Sequence, residues 1–242
     1  MKNNREFGPE IFTMLRRMHS IDLEKFIVSR LTSRELFEFI VGVVLSQNTN
    51  DENAIKAYEN LKEACGGRIT PKTILTLPDD LLVESIKIAG MYIQRARRVK
   101  ELAKLFNDEK WVNRLINTII HSNVEEARRT LMSLPGIGSK TADVILLMFF
   151  NKPTFPIDTH ISRITRRLRY PHRYNYEDCR KFWMQIIKPE EYLEAHLLLI
   201  MHGRTTCKAR KPECNQCLLV NLCQYGKKHK VNQKEGLSLI HI

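Results

Sequence analysis

Apolar residues along this chain recur at three- and four-residue intervals, and no stretch shows the strict alternation of a half-buried strand. Leu36, Phe37, Ile40, Val41, Val44 and Leu45 mark the inward face of a helix that Ser33 can cap and that stops at the polar run 47–50. A helix over 51–65 ends at Gly66-Gly67, and Thr70-Pro71 makes an N-cap followed by proline at the first helical position. Pro78-Asp79-Asp80 opens a short helix that Gly90 closes. The next, over 92–106, is expected to expose Arg95, Arg97, Arg98 and Lys100. Asn123 caps a helix over 124–132, a tight turn leads into another over 139–149, and three more follow over 159–169, 176–187 and 189–202. The segment beyond is short on regular structure, and 226–242 is expected to be a flexible tail. Nine or ten helices and no sheet predict an all-α fold.

The turn Leu134-Pro135-Gly136-Ile137-Gly138 carries more information than its helices. Proline sets its entry, while two glycines permit left-handed backbone and remove side-chain bulk. Amides there and at the start of the next helix can face a phosphate. A glycine turn also joins ordinary helical hairpins. The full string through Ser139-Lys140-Thr141-Ala142, in a basic chain, favours a helix-hairpin-helix that grips the DNA backbone without reading sequence.

Lys140 stands near the positive end of the following helix, which disfavours an ammonium, as would apolar neighbours. A neutral amine there is a nucleophile, whereas a charged one is a phosphate contact. Asp158, in Phe155-Pro156-Ile157-Asp158-Thr159-His160, suits the N-cap of the helix over 159–169. Facing a cleft, the same carboxylate could stabilise an oxocarbenium-like sugar as a base departs.

Cys207, Cys214, Cys217 and Cys223 are separated by six, two and five residues. Four thiols so close in a cytosolic chain argue for metal over disulfides. Zinc usually takes two close CxxC-like pairs, and only one such pair is present, so the spacing leans toward a [4Fe–4S] cluster and leaves zinc as the rival. Cys65 and Cys179 lie apart and are expected to be small buried hydrophobes. Between the first two ligands, Lys208, Arg210 and Lys211 form a basic loop suited to phosphate.

The net charge of +12 points to a polyanionic partner, DNA being one of several possible. The longest central apolar run, 144–150, is too short to cross a bilayer, and the N-terminus lacks a secretory stretch. A cytoplasmic, nucleoid-associated monomer is therefore expected.

Taken together, the hairpin string, 156–161, His202-Gly203-Arg204 and the cysteine quartet with its basic loop closely resemble the endonuclease III family, over about residues 30–225. The resemblance implies two helical modules flanking a DNA-binding cleft: a six-helix barrel with the hairpin over 28–152, and an iron–sulfur module from 1–27 plus 153–225. It implies double-stranded DNA with damaged bases or abasic sites as partner, and a [4Fe–4S] cluster held by the four cysteines. Lys140 would attack the sugar C1′ and Asp158 would assist base departure. Gln47 would fill the space left by the flipped nucleotide and Met91 would wedge the opposite strand. Gly136, Gly138 and Ser139, with Lys208, Arg210 and Lys211, would contact the DNA. With a lysine at 140, the resemblance favours a bifunctional glycosylase and abasic-site lyase acting on oxidised pyrimidines. A mismatch-specific glycosylase and a non-catalytic DNA-binding module are the rivals. Asn50 departs from the acidic residue many relatives carry, which bears on substrate range.

Overall fold

The computed structural model describes residues 4–22, 35–168 and 175–228; Ser33 and the tail beyond Lys228 lie outside them. Twelve α-helices and no strand occur among these residues, and the chain forms two compact units, Asp22–Lys152 and Met1–Ile21 with Pro153–Ile242.

In the first unit, α2 (Leu36–Leu45) is buried at every position, so it is a central helix and not the one-sided one that its spacing predicts. Its one carboxylate, Glu38, accepts a hydrogen bond from Tyr58 Oη at 2.6 Å and lies 3.7 Å from Lys62 Nζ, which removes the cost of an unpaired buried charge. Around it run α3 (Asp51–Ala64), α4 (Pro71–Thr76), α5 (Asp79–Ile86) and α6 (Tyr92–Phe106). The remaining three are α7 (Glu109–His121), α8 (Val124–Met132) and α9 (Ser139–Met148). Asn50, Thr70, Asp108 and Asn123 each cap a helix through the side chain, Thr70 in a full capping box. The helix opened by Pro78 ends at Ile86, and a 3₁₀ turn, Lys87–Ala89, carries the chain to Gly90.

The second unit contains α1 (Asn4–Met18), α10 (Thr159–Leu168), α11 (Tyr176–Ile186) and α12 (Tyr192–Thr205). Residues 189–191 form a separate 3₁₀ turn ahead of α12. Trp183 is the centre of this core. Its indole donates to Thr165 Oγ1 at 2.8 Å, and Phe155 stacks on it with ring centroids 5.9 Å apart.

Two helices were not singled out by the periodicity. In α1, Phe7, Ile11, Phe12 and Leu15 are buried at helical spacing, and in α7 only Leu115 and Ile119 are. Both carry the amphipathic pattern, and α7 also carries the Asp108 cap, so the signal was present in the sequence.

Candidate functional site

The hairpin joins α8 to α9. Leu134 and Ile137 are buried beneath the turn, and the Ile137 amide donates to the Leu134 carbonyl at 3.1 Å. Below it, Arg128 of α8 lies 2.8 Å from Asp143 of α9, a buried ion pair that ties the two helices. Of the two glycines, only Gly136 is left-handed, with φ 76°. Gly138 is extended (φ −98°, ψ −179°), which corrects the expectation of left-handed geometry at both. Gly136 is needed for its backbone angle; a Cβ there would stand 2.6 Å from Arg98 Cδ, on a flexible stem that can move aside. Gly138 is exposed, with nothing within 4 Å of the place a Cβ would occupy. It is the N-cap of α9 and supplies no side-chain acceptor, so the first-turn amides of α9 are left without a capping side chain. An open helix N-terminus behind a bare glycine is a site at which an anion can approach closely. Ser139 stands half-buried at this end, its hydroxyl 3.9 Å from Met132 Sδ.

Lys140 is exposed in the first turn of α9, and no hydrogen bond or ion pair engages it among the described residues. Exposure is what the position of this lysine alone favours, and desolvation by apolar neighbours does not act on its amine; its distinguishing feature is its place at the open end of the helix.

Gln47, in the turn after α2, belongs to the same unit and reaches the hairpin directly. Its Nε2 donates to the Gly136 carbonyl at 2.9 Å and to Thr141 Oγ1 at 3.1 Å, beside Lys140. Met91 is 49% exposed, with φ 49°, a left-handed angle uncommon for a residue with a side chain. Arg95, expected on the surface, is buried and bonded to main-chain carbonyls of both these loops. Lys100 is half-buried and donates to the Leu77 carbonyl at 2.9 Å, and it also pairs with Asp79; Arg97 is exposed as expected. Arg95 stands at helical spacing with the buried Val99, Leu102 and Phe106 and Arg97 does not, so the apolar period carried a signal that the expectation of an exposed Arg95 passed over.

In the second unit, Asp158 caps α10: its Oδ1 accepts from the Ile161 amide at 2.7 Å. The preceding residues Phe155, Pro156 and Ile157 are buried, and His196 Nδ1 lies 3.0 Å from the Pro156 carbonyl, which fixes the approach to the carboxylate. Asp158 itself is half-buried.

The four cysteines line one small pocket together with His202, Arg167 and Tyr225. Among the described residues, no three His, Cys, Asp or Glu are grouped so as to hold a single metal ion. Burial pushes the Cys217 thiol up to about 12 and raises those of Cys214 and Cys223, with repulsion between neighbouring thiols adding to it. Around them, Arg167 donates to Cys207 Sγ at 3.1 Å, and His202, its pKa pushed down by burial to about 3, lies 3.8 Å from Cys217 Sγ. Gly203 lets α12 pass close to His160, where a Cβ would meet the His160 Cβ at 2.6 Å.

The basic loop is held from inside the protein, which the spacing did not reveal. Arg167 donates to the carbonyls of Lys208 (2.7 Å) and Ala209 (3.1 Å), and Arg163 to that of Cys207 (3.0 Å). Lys208 pairs with Glu213 at 3.1 Å. Arg210 and Lys211 are exposed, with neither hydrogen bond nor ion pair among the described residues.

Residues 41–189 match the family model described as HhH-GPD superfamily base excision DNA repair protein. The chain is 36% identical over 223 residues to endonuclease III of Sulfolobus acidocaldarius, covering 91% of this chain and 96% of that protein. It is 32% identical over 192 residues to endonuclease III of Escherichia coli K12, covering 79% and 85%. Among solved structures, a trapped endonuclease III–DNA covalent intermediate aligns with a TM-score of 0.74 at 28% identity, over 95% of this chain and 100% of that one. With a hairpin whose open helix end carries an exposed lysine, the chain belongs to the endonuclease III family of the HhH-GPD superfamily of base excision DNA repair proteins.

Proposed function

We propose that this base excision repair enzyme, a DNA glycosylase and abasic-site lyase, removes oxidised pyrimidines from duplex DNA with Lys140 as nucleophile and Asp158 as its carboxylate partner. The observation that carries this reading is the free, exposed Lys140 in the first turn of α9, next to an uncapped helix end suited to a phosphate. The Lys140 amine attacks C1′ of the lesion nucleotide, the C1′–N bond to the base breaks, and the Asp158 carboxylate stabilises the positive charge on the sugar as the base leaves. The C1′–O4′ bond then opens, the proton lost from the lysine nitrogen ending on O4′, and the resulting imine acidifies C2′; loss of the C2′ proton expels the 3′ phosphate by β-elimination and nicks the strand. Extrusion of the nucleotide precedes this, with Gln47 filling its place and Met91 wedging the opposite strand. Mismatch glycosylases that resemble this scaffold carry another residue at the position of Lys140, and a non-catalytic binding module gives Lys140 and Asp158 no joint task.

The hairpin amides around Gly136, Gly138 and Ser139 are assigned to backbone phosphate, and Lys208, Arg210 and Lys211 to the flanking duplex. Of these last three, Arg210 and Lys211 are free to act at once, while Lys208 must leave Glu213. The barrel module is assigned to 28–152 and the iron–sulfur module to 1–27 with 153–225. Cys207, Cys214, Cys217 and Cys223 would hold a [4Fe–4S] cluster. A cubane takes one thiolate at each of four irons, so its ligands ring a volume and do not converge on a point, and the cavity these cysteines line supports that fit. When bound, the cluster cross-links the segment that carries the basic loop.

The test is borohydride trapping on a duplex with an oxidised pyrimidine. Wild-type protein gives a covalent adduct, and Lys140→Ala gives none while binding the duplex nearly as well; an adduct with the variant rules out Lys140 as nucleophile.

A further inference from the structure

Arg95 lies in the first turn of α6 and is 2% exposed. Every contact recorded for its guanidinium is to a main-chain carbonyl. Nε donates to Gly90 (2.7 Å), Nη1 to Val44 (2.5 Å), and Nη2 to Ala89 (3.1 Å) and to Gln47. Burial lowers its pKa, and the nearby Arg98 adds to this, so the protein keeps a cation where desolvation and a like charge both oppose it. An apolar side chain would fill that space without this penalty, but it could not satisfy four carbonyls.

The four carbonyls come from two segments that are distant in sequence. Val44 is in the last turn of α2 and Gln47 in the turn that follows, where helix carbonyls have no partner within the helix. Ala89 and Gly90 lead directly into Met91. Gly90 and Met91 have successive positive φ angles of 70° and 49°, a conformation that a residue with a side chain holds only when its surroundings impose it. Arg95 begins four residues later and reaches back over this bend. On the far side, the Gln47 side chain already touches the hairpin through Gly136 and Thr141.

We propose that Arg95 is a positioning residue that locks the Gln47 turn and the Met91 loop into one rigid body, so that both side chains enter the duplex together. The inference rests on the function proposed above, since it takes Gln47 and Met91 as the invading groups. Its planar fork is what the geometry requires: an ammonium has no fixed pair of Nη atoms to set the Val44–Gln47 segment against Ala89–Gly90.

The experiment compares nicking of an abasic site in two substrates by wild-type protein and Arg95→Lys. One is a continuous duplex; in the other the site faces a single-nucleotide gap, so no base has to be replaced or wedged. Arg95→Lys is expected to lower nicking of the continuous duplex by about tenfold or more, as misplacement of positioning groups does, and to change nicking at the gap by less than about twofold. Because the readout is the ratio of the two substrates within one variant, partial unfolding, which scales both alike, does not imitate it. A 2-aminopurine opposite an uncleavable abasic analogue should brighten less on binding the variant than on binding wild type. Adding Gln47→Ala and Met91→Ala to Arg95→Lys should cost nothing further in the ratio, because the three act as one unit. An equal loss on both substrates, or a ratio that does not move, overturns the proposal and leaves Arg95 a residue of the fold. Wild-type protein that nicks neither substrate overturns the underlying function instead, before any variant is compared.

Discussion

Alanine at Gly136 and alanine at Gly138 should separate the fold of the hairpin from its grip on DNA. At Gly136 the backbone sits at φ 76°, a region that costs an L-residue about 1–2 kcal/mol. A new Cβ would also stand 2.6 Å from Arg98 Cδ, but that stem is flexible and swings aside, so the backbone term dominates. For a chain of 242 residues a loss of that size lowers the melting temperature by about 2–8 °C. At Gly138 the backbone is extended and the added methyl meets nothing within 4 Å. Alanine is a poorer N-cap than glycine by up to about 1 kcal/mol. The stiffer unfolded chain offsets about 0.4–1 kcal/mol of that. Melting should therefore move by no more than about 2 °C. The methyl nevertheless covers the amides that would meet a phosphate, and loss of a charge-assisted hydrogen bond of about 1.5–3 kcal/mol weakens binding roughly 10- to 100-fold. Calorimetry gives the first quantity, and fluorescence anisotropy with an uncleavable abasic duplex at fixed salt gives the second. If Gly138→Ala melts as low as Gly136→Ala, or binds as tightly as wild type, the assignment of the two glycines is wrong.

Asp158→Asn keeps an oxygen for the Ile161 amide, so its melting should match wild type while single-turnover base release slows by about 100-fold. Asp158→Ala should lose about 0.5–2 kcal/mol of stability as well, and base release at the wild-type rate in the asparagine variant would remove Asp158 from the mechanism. Asn50→Asp should still accept from the Asn53 amide and gain about 0.3–1 kcal/mol at the helix start, so a lower melting temperature contradicts its role as a cap. Purified protein should be brown, with broad visible absorbance that Cys217→Ala bleaches; a colourless protein carrying zinc would return the quartet to the zinc reading.

The helical class and most helix limits were legible in the chain because they are local. A 3.6-residue period, a capping side chain and a glycine stop each act within one or two turns, and Asn123, Thr70 and Asn50 cap where such residues ordinarily do. The candidate chemistry stood out for a similar reason, as unusual residue types at fixed short spacings. What the sequence could not show is which polar groups meet across long separations. Arg95 lies on the same helix face as Val99, Leu102 and Phe106, so the period marks it as inward and Arg97 as outward, but only packing shows that Arg95 meets the Val44 and Gln47 carbonyls. In the same way, tertiary contacts set Arg163 and Arg167 behind the basic loop. Periodicity records which side of a helix is apolar; the partner of a buried cation is decided only when distant segments come together, because the need to satisfy it arises only once water has been excluded.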